Sequence, residues 1–412
     1  MLENKLEQKR LNCLFLMLLI YPIYNLILVI KQKIGLSFLD NNLMIALYVF
    51  VLVYAITIIL RAPVFKRSLL IIFLIYMAIF LLYIVSNPLV KSEFYSTYNW
   101  IIYIYFIPIS VFVISRIDNW VDLFDNKKYI IISDVILLIS FVSKVFFDDD
   151  TDYMAFAYDI LPFTCIILIC ALKYKQKIQW IFSLISLFAL GVYGARGALL
   201  AFLICGISIF LLDIYYSGNT TIFINRIIMC IGIVVLLCIG VELILPKLVN
   251  SNLVESSYVL KRISMGMLGE SNAREQIIKS CLEAIYGMGL NINGLYYDRM
   301  ILPNGLYSHN FILESLLSLG WIFGTCFLIW IFRCLINGFI SQSQNGKCVF
   351  IFIVSSLFLR YFLSGSIFGE GKFILFMASL MSINKYHVLD NREEKLSMLA
   401  KKSSSKLEGK YE

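Results

Sequence analysis

The sequence predicts an all-α, polytopic membrane protein with about twelve transmembrane helices and one large extracytoplasmic loop containing short amphipathic helices. Three observations predict this class. Of the 412 residues, 60% are apolar and only 15% charged, whereas a soluble domain carries about 45–50% apolar and 25% charged residues. The apolar residues are gathered into runs of the length needed to cross about 30 Å of hydrocarbon, which takes about 20 residues of helix. Lysines and arginines sit in short clusters between those runs, the pattern by which a membrane protein sets its orientation.

In chain order the runs are 11–30, 43–60, 68–86, 100–115, 129–147, 153–172, 178–195, 198–216, 227–246, 310–332, 348–366 and 373–387. With the N-terminus on the cytoplasmic side, twenty-two of the 35 lysines and arginines fall on that side and six, Lys372 among them, in short segments on the other. That asymmetry predicts two cytoplasmic termini and an outward-facing loop 247–309; loops that long contribute little to the rule. Residues 1–390 thus form the transmembrane domain with its loop. Residues 391–412, rich in Lys, Ser and Glu, read as a disordered cytoplasmic tail. The first run is long enough to span and lacks a small-residue cleavage site, so it reads as a span and not as a cleavable signal peptide.

Several function classes are disfavoured. The net charge of +8 lies between spans, where it sets topology, so nucleic acid is not the expected partner. Nine of the ten cysteines fall in or beside apolar runs and only Cys281 lies in the large loop, which predicts no disulfide and no metal cluster. Asp148, Asp149, Asp150 and Asp152 crowd one turn but lack the glycine and glutamate of a calcium loop, so a solvated turn is the reading. No P-loop, dinucleotide fingerprint or zinc-protease motif is present, and no cofactor is expected.

The long loop carries the chemistry. Asn272 followed by Glu275 is a capping-box pattern, and Ile277, Ile278, Cys281, Leu282 and Ile285 recur at helical spacing before Gly287. A short amphipathic helix over 273–286 follows, with Arg274 in its first turn. A cation there opposes the helix dipole, but beside free N–H groups it can help hold a phosphate; the plain alternative is a solvated arginine. His309, in Ser308-His309-Asn310, opens the tenth span at the membrane surface. It is either a proton-transfer group or an interfacial anchor. Arg196 occupies the turn Gly194-Ala195-Arg196-Gly197-Ala198 between two spans. Arg360 lies deeper, in Leu359-Arg360-Tyr361. Each is costly in a membrane unless it meets water or a partner. For Arg360 the alternatives are substrate contact and pairing with a buried acid such as Asp134, Asp159 or Glu242.

These residues, in this order, resemble the O-antigen ligase and Wzy-type polysaccharide polymerase superfamily. The resemblance rests on the many spans with one late external loop, on Gly194-Ala195-Arg196-Gly197-Ala198-Leu199-Leu200, on Asn272-Ala273-Arg274 with its helix and Gly287-Met288-Gly289, and on Ser308-His309-Asn310 with Leu313, Glu314 and Gly320. It covers about residues 180–335. Spacings after Arg274 depart from the family pattern, and a second loop histidine is missing.

The resemblance implies a membrane glycosyltransferase that needs neither metal nor nucleotide. It would polymerise lipid-linked repeat units into a surface polysaccharide at the outer face of a bacterial cytoplasmic membrane. The partner would be a polyprenyl-diphosphate-linked oligosaccharide in the bilayer, with a chain-length regulator and a flippase as further candidate partners. His309 would serve the transfer, while Arg196 and Arg274, with Arg360 as a further candidate, would bind the diphosphate. A ligase that moves finished glycan to another acceptor, and a flippase or other transporter, remain the alternatives.

Overall fold

A computed structural model describes residues 2–34, 40–61, 66–88, 102–147, 153–193, 195–217, 272–287 and 290–384. All regular structure among them is helical. The principal helices are α1 (Leu2–Ile34), α2 (Asp40–Ile59), α3 (Lys66–Val85), α4 (Tyr103–Arg116), α5 (Lys127–Phe147), α6 (Tyr153–Leu172), α7 (Lys177–Phe188), α8 (Arg196–Ser217), α9 (Asn272–Gly287), α10 (Phe311–Ile340), α11 (Gln344–Ile353) and α12 (Gly371–Asn384). Every expected run is helical over most of its length except 227–246, which lies outside the described residues together with the acidic turn 148–152 and the tail. Among the described residues, five helices are long and apolar enough to cross a membrane: Lys5–Ile27, Arg67–Val85, Arg196–Tyr216, Phe311–Ile340 and Gln344–Phe362.

The surface of α3 shows what solvent the fold requires. Leu69, Leu70, Phe73, Leu74, Phe80, Leu81, Ile84 and Val85 each leave more than half of their surface uncovered. At about 1.5–3 kcal/mol per fully buried side chain, leaving these eight half-exposed to water would forfeit on the order of 10 kcal/mol, as much as the whole stability of a domain. Helices α5, α8 and α10 carry further exposed Ile, Leu, Val, Phe and Trp. An apolar surface this extensive belongs in lipid, and the chain is a membrane protein.

Helix α6 is the hub. Ala157, Leu161, Phe163, Cys165, Ile166, Ile167, Ile169 and Cys170 are fully buried, and α6 packs on α1, α5, α7, α8 and α11. Its Pro162 has no N–H, so the carbonyl four residues earlier, that of Tyr158, loses its helical donor. That freed carbonyl accepts from Lys372 Nζ at 3.1 Å.

Several expected boundaries move, the first run 11–30 lying within the longer helix Leu2–Ile34. The run expected at 310–332 is a 30-residue helix reaching Ile340, kinked at Gly320 with φ +75°. A Cβ at Gly320 would lie 2.5 Å from the Asn291 carbonyl oxygen, so only glycine admits the segment 290–294 there. The carbonyls loosened by the kink are satisfied from that segment: Asn293 Nδ2 donates to Leu317 O at 2.9 Å and the Gly294 N–H to Ser318 O at 3.0 Å. The run expected at 348–366 ends its helical course at Phe362 after a π-helical turn (Val354–Phe358) and a 3-10 turn (Leu359–Phe362). The chain then bends back through 363–370 to α12.

Candidate functional site

His309 is held in a constrained turn. Asp298, fully buried, accepts from the Ser308 N–H at 2.8 Å and the Arg299 N–H at 3.0 Å. Burial pushes its carboxyl up from the ordinary value, and the Ser308 bond and Arg299 oppose that rise. On the other side, Asn310 caps α10 by accepting from the Ile312 and Leu313 N–H groups at 2.9 and 3.4 Å. Fixed between these anchors, His309 adopts φ +53°, a left-handed conformation that is costly for a side-chain-bearing residue and is found where surroundings enforce it. Its ring lies 3.9 Å from that of Tyr307, and its buried Nδ1 has no hydrogen-bond partner among the described residues.

The helix expected over 273–286 is α9, Asn272–Gly287. Ile277, Cys281 and Ile285 bury one face against Leu302, Leu313 and Leu317, and Trp321 Nε1 donates to the Ile285 carbonyl at 3.1 Å. This packing fastens α9 to the start of α10 and carries Arg274, exposed, to the His309 end. The guanidinium acts electrostatically on both the His309 imidazole and the Tyr158 phenol. Burial and, second to it, the Arg274 charge lower the His309 pKa below its ordinary 6.5. The imidazole is therefore neutral at neutral pH and can accept a proton.

Arg196 is half-buried at the start of α8. The next residue, Gly197, is a glycine for a visible reason: the Tyr158 hydroxyl occupies the space a Cβ would need. Tyr158 accepts from Ser364 Oγ at 2.9 Å, and the Ser364 carbonyl accepts from Tyr307 OH at 2.8 Å. A continuous set of contacts thus runs from Gly197 through Tyr158, Ser364 and Tyr307 to the His309 ring. Arg274 acts on both His309 and Tyr158, and Arg196 precedes the glycine that packs on Tyr158, so these three expected residues lie around Tyr158 at one end of the bundle.

Arg360 joins them in a different setting. Its guanidinium lies over the Tyr158 ring at 4.6 Å and pairs with Glu370 at 2.8 Å, while its Nε is buried without an acceptor. The pairing expected for it exists, but with Glu370. Of the acids named from sequence, Asp134 accepts from Gln179, Asp159 pairs with Lys372, and Glu242 lies outside the described residues. Lys372, counted from sequence among outward cations in a short segment, is instead buried in the bundle. It donates to Asp159 Oδ1 at 2.7 Å and to the Tyr158 carbonyl freed by Pro162 at 3.1 Å. Asn25 donates to the other oxygen of Asp159 at 2.8 Å.

The connection 363–370 is clamped from several directions. Glu314, fully buried in the first turn of α10, accepts from Ser366 Oγ at 2.5 Å and the Ile367 N–H at 2.7 Å. Tyr103 and Tyr296 hydroxyls both donate to the Phe368 carbonyl, at 2.7 and 3.0 Å. Sequence reasoning missed Tyr158, Ser364, Glu370 and Lys372. Pro162 inside a span, which must leave a carbonyl seeking a donor, was the signal that could have found one of them. Among the described residues no group of three or more His, Cys, Asp or Glu side chains is placed to hold a metal ion. The chain matches no family model, no curated protein and no solved structure.

Proposed function

We propose that the protein is a membrane glycosyltransferase that moves a saccharide from a polyprenyl diphosphate donor to the hydroxyl of a second lipid-linked repeat unit, thereby lengthening a surface polysaccharide. The observation that supports this reading is the placement of Arg196, Arg274 and a neutral, half-buried His309 around Tyr158, with the His309 Nδ1 unpartnered among the described residues. In this reading the chain crosses a bacterial cytoplasmic membrane about twelve times with both termini inside, and the site faces outward.

The chemistry follows from the groups present. The acceptor hydroxyl attacks the anomeric carbon, its proton passes to His309, and the bond to the diphosphate oxygen breaks with inversion. Negative charge grows on the leaving diphosphate, where Arg196 and Arg274 stabilise it. Arg360 has most of its charge engaged by Glu370, so its contribution is mainly to fix Tyr158 and the 363–370 connection, with Nε as its free donor. The sugar–diphosphate bond supplies the energy, so no nucleotide enters. A ligase differs only in the acceptor.

A second reading has its own observation. The buried Lys372–Asp159 pair with Asn25 lies within the apolar bundle, and charges so placed often mark a transport path. One experiment separates the two. Protein in liposomes with lipid-linked repeat units and no nucleotide should lengthen the glycan. Translocation of units whose length does not change would overturn the transferase reading.

A further inference from the structure

At the end of α8 opposite Arg196, a groove of about 570 Å³ lies between α8, α10 and α11. Its walls are Ile204, Leu211, Leu212, Phe350, Ile351 and Val354, relieved by two small residues, Ser208 and Ser355, and its mouth carries Tyr215, Phe339 and Lys347. That mouth stands where three helices terminate: α8 ends at Ser217, α10 at Ile340, and α11 begins at Gln344. Helix ends bearing tyrosine and lysine are characteristic of headgroup level. From Tyr215 to Ile204 the groove follows α8 for eleven residues, roughly 16 Å at the helical rise, which is close to half of a hydrocarbon core of about 30 Å. The groove is therefore one leaflet deep.

Lys347 gives the mouth its charge. Its Nζ donates to the Tyr216 hydroxyl at 3.0 Å and lies 5.3 Å from the Phe339 ring and 5.4 Å from the Tyr216 ring. Among the described residues no carboxylate lies within ion-pair distance of it. Two ring faces and one phenol orient the ammonium without neutralising it, so its remaining donors are available to an anion at the same level.

We propose that this groove is a binding site for one anionic phospholipid, with an acyl chain along α8 and the headgroup phosphate on Lys347. The occupant is set by three features together: apolar walls one leaflet deep, a position at helix ends, and a cation at the rim that has no ion-pair partner among the described residues. The site is separate from the glycosyl-transfer end and does not depend on that reading.

The test is native mass spectrometry of the full chain in detergent, titrated with phosphatidylglycerol and phosphatidylcholine of identical acyl chains. One phosphatidylglycerol should be retained in preference to phosphatidylcholine by roughly fivefold, the effect of about 1 kcal/mol from one lysine at a membrane surface. Lys347→Ala should abolish the preference and Lys347→Arg should keep it. Ser208→Phe, which fills the groove, should weaken retention of both lipids while thermal melting confirms the fold. Equal retention of the two lipids by the parent, an unchanged preference in Lys347→Ala, or unchanged retention in Ser208→Phe would each overturn the proposal. Displacement of phosphatidylglycerol by equimolar undecaprenyl phosphate would also overturn it, by assigning the groove to the substrate's tail.

Discussion

The hydroxyl of Tyr158 occupies the space that a side chain at position 197 would need, so a tyrosine at 158 requires a glycine at 197. Because Arg196 precedes Gly197 and Arg360 lies over the Tyr158 ring, this one contact sets the spacing between two cations of the site. Gly197→Ala should therefore destabilise the protein by about 1–3 kcal/mol and lower transfer. Tyr158→Phe removes the atom that clashes. The double variant Gly197→Ala/Tyr158→Phe should be more stable than Gly197→Ala alone, a non-additivity measurable by thermal melts in detergent.

The pH dependence of transfer should report His309. Its pKa is lowered, by burial first and by Arg274 second, and the neutral form is the base. Activity should then persist below pH 6.5 and fall only as the imidazole protonates at lower pH. Arg274→Ala removes a nearby positive charge, which makes imidazolium easier to form. The acid limb should move to higher pH, and the rate at its plateau should fall as well. An acid limb at the same pH in both proteins would show that Arg274 does not act on the base.

The Arg360–Glu370 pair lies within the bundle, with both side chains largely covered. Removing one partner leaves a charge with no counter-ion, a loss of about 3–5 kcal/mol in fully buried cases. Glu370 retains some exposure, so Glu370→Gln should fall below that range. A double-mutant cycle of Arg360→Met and Glu370→Gln should give a coupling of at least about 1 kcal/mol. Arg360→Lys should not substitute, because lysine cannot reproduce the planar stack on Tyr158 together with the pair.

The turn that holds His309 should also be sensitive. Asn310→Ala removes a cap that accepts from two N–H groups, at about 1 kcal/mol of stability. It should reduce transfer by more than so small a loss of fold explains, because the adjacent left-handed residue loses an anchor. Comparing melting temperature with rate in the same preparation checks this.

Much of the scaffold was legible in the sequence because a bilayer imposes length and apolarity on each helix. Amphipathic spacing likewise announced α9, and Asn310 marked the start of α10. What stayed hidden depends on contacts between distant residues. Lys372 and Asp159 are 213 residues apart and meet only because α12 returns beside α6. Glu370 reaches Arg360 because the chain folds back after Phe362, a bend encoded in a π-helical and a 3-10 turn and not in hydropathy. The Gly320 kink was equally invisible within an apolar run, since its cause is the Asn291 carbonyl of another segment. For the proposed site, Arg196, Arg274 and His309 were named from sequence, whereas Tyr158, which contacts Gly197, Ser364 and Arg360, looked like any tyrosine in a span.

His309→Asn offers the most direct test, because asparagine tolerates the left-handed backbone at this position but cannot act as a base. The measurement is the rate of glycan lengthening in proteoliposomes at saturating lipid-linked donor, with donor binding followed in parallel. The account predicts a rate reduced at least about a hundredfold with binding retained. A rate within a few-fold of the parent would contradict it.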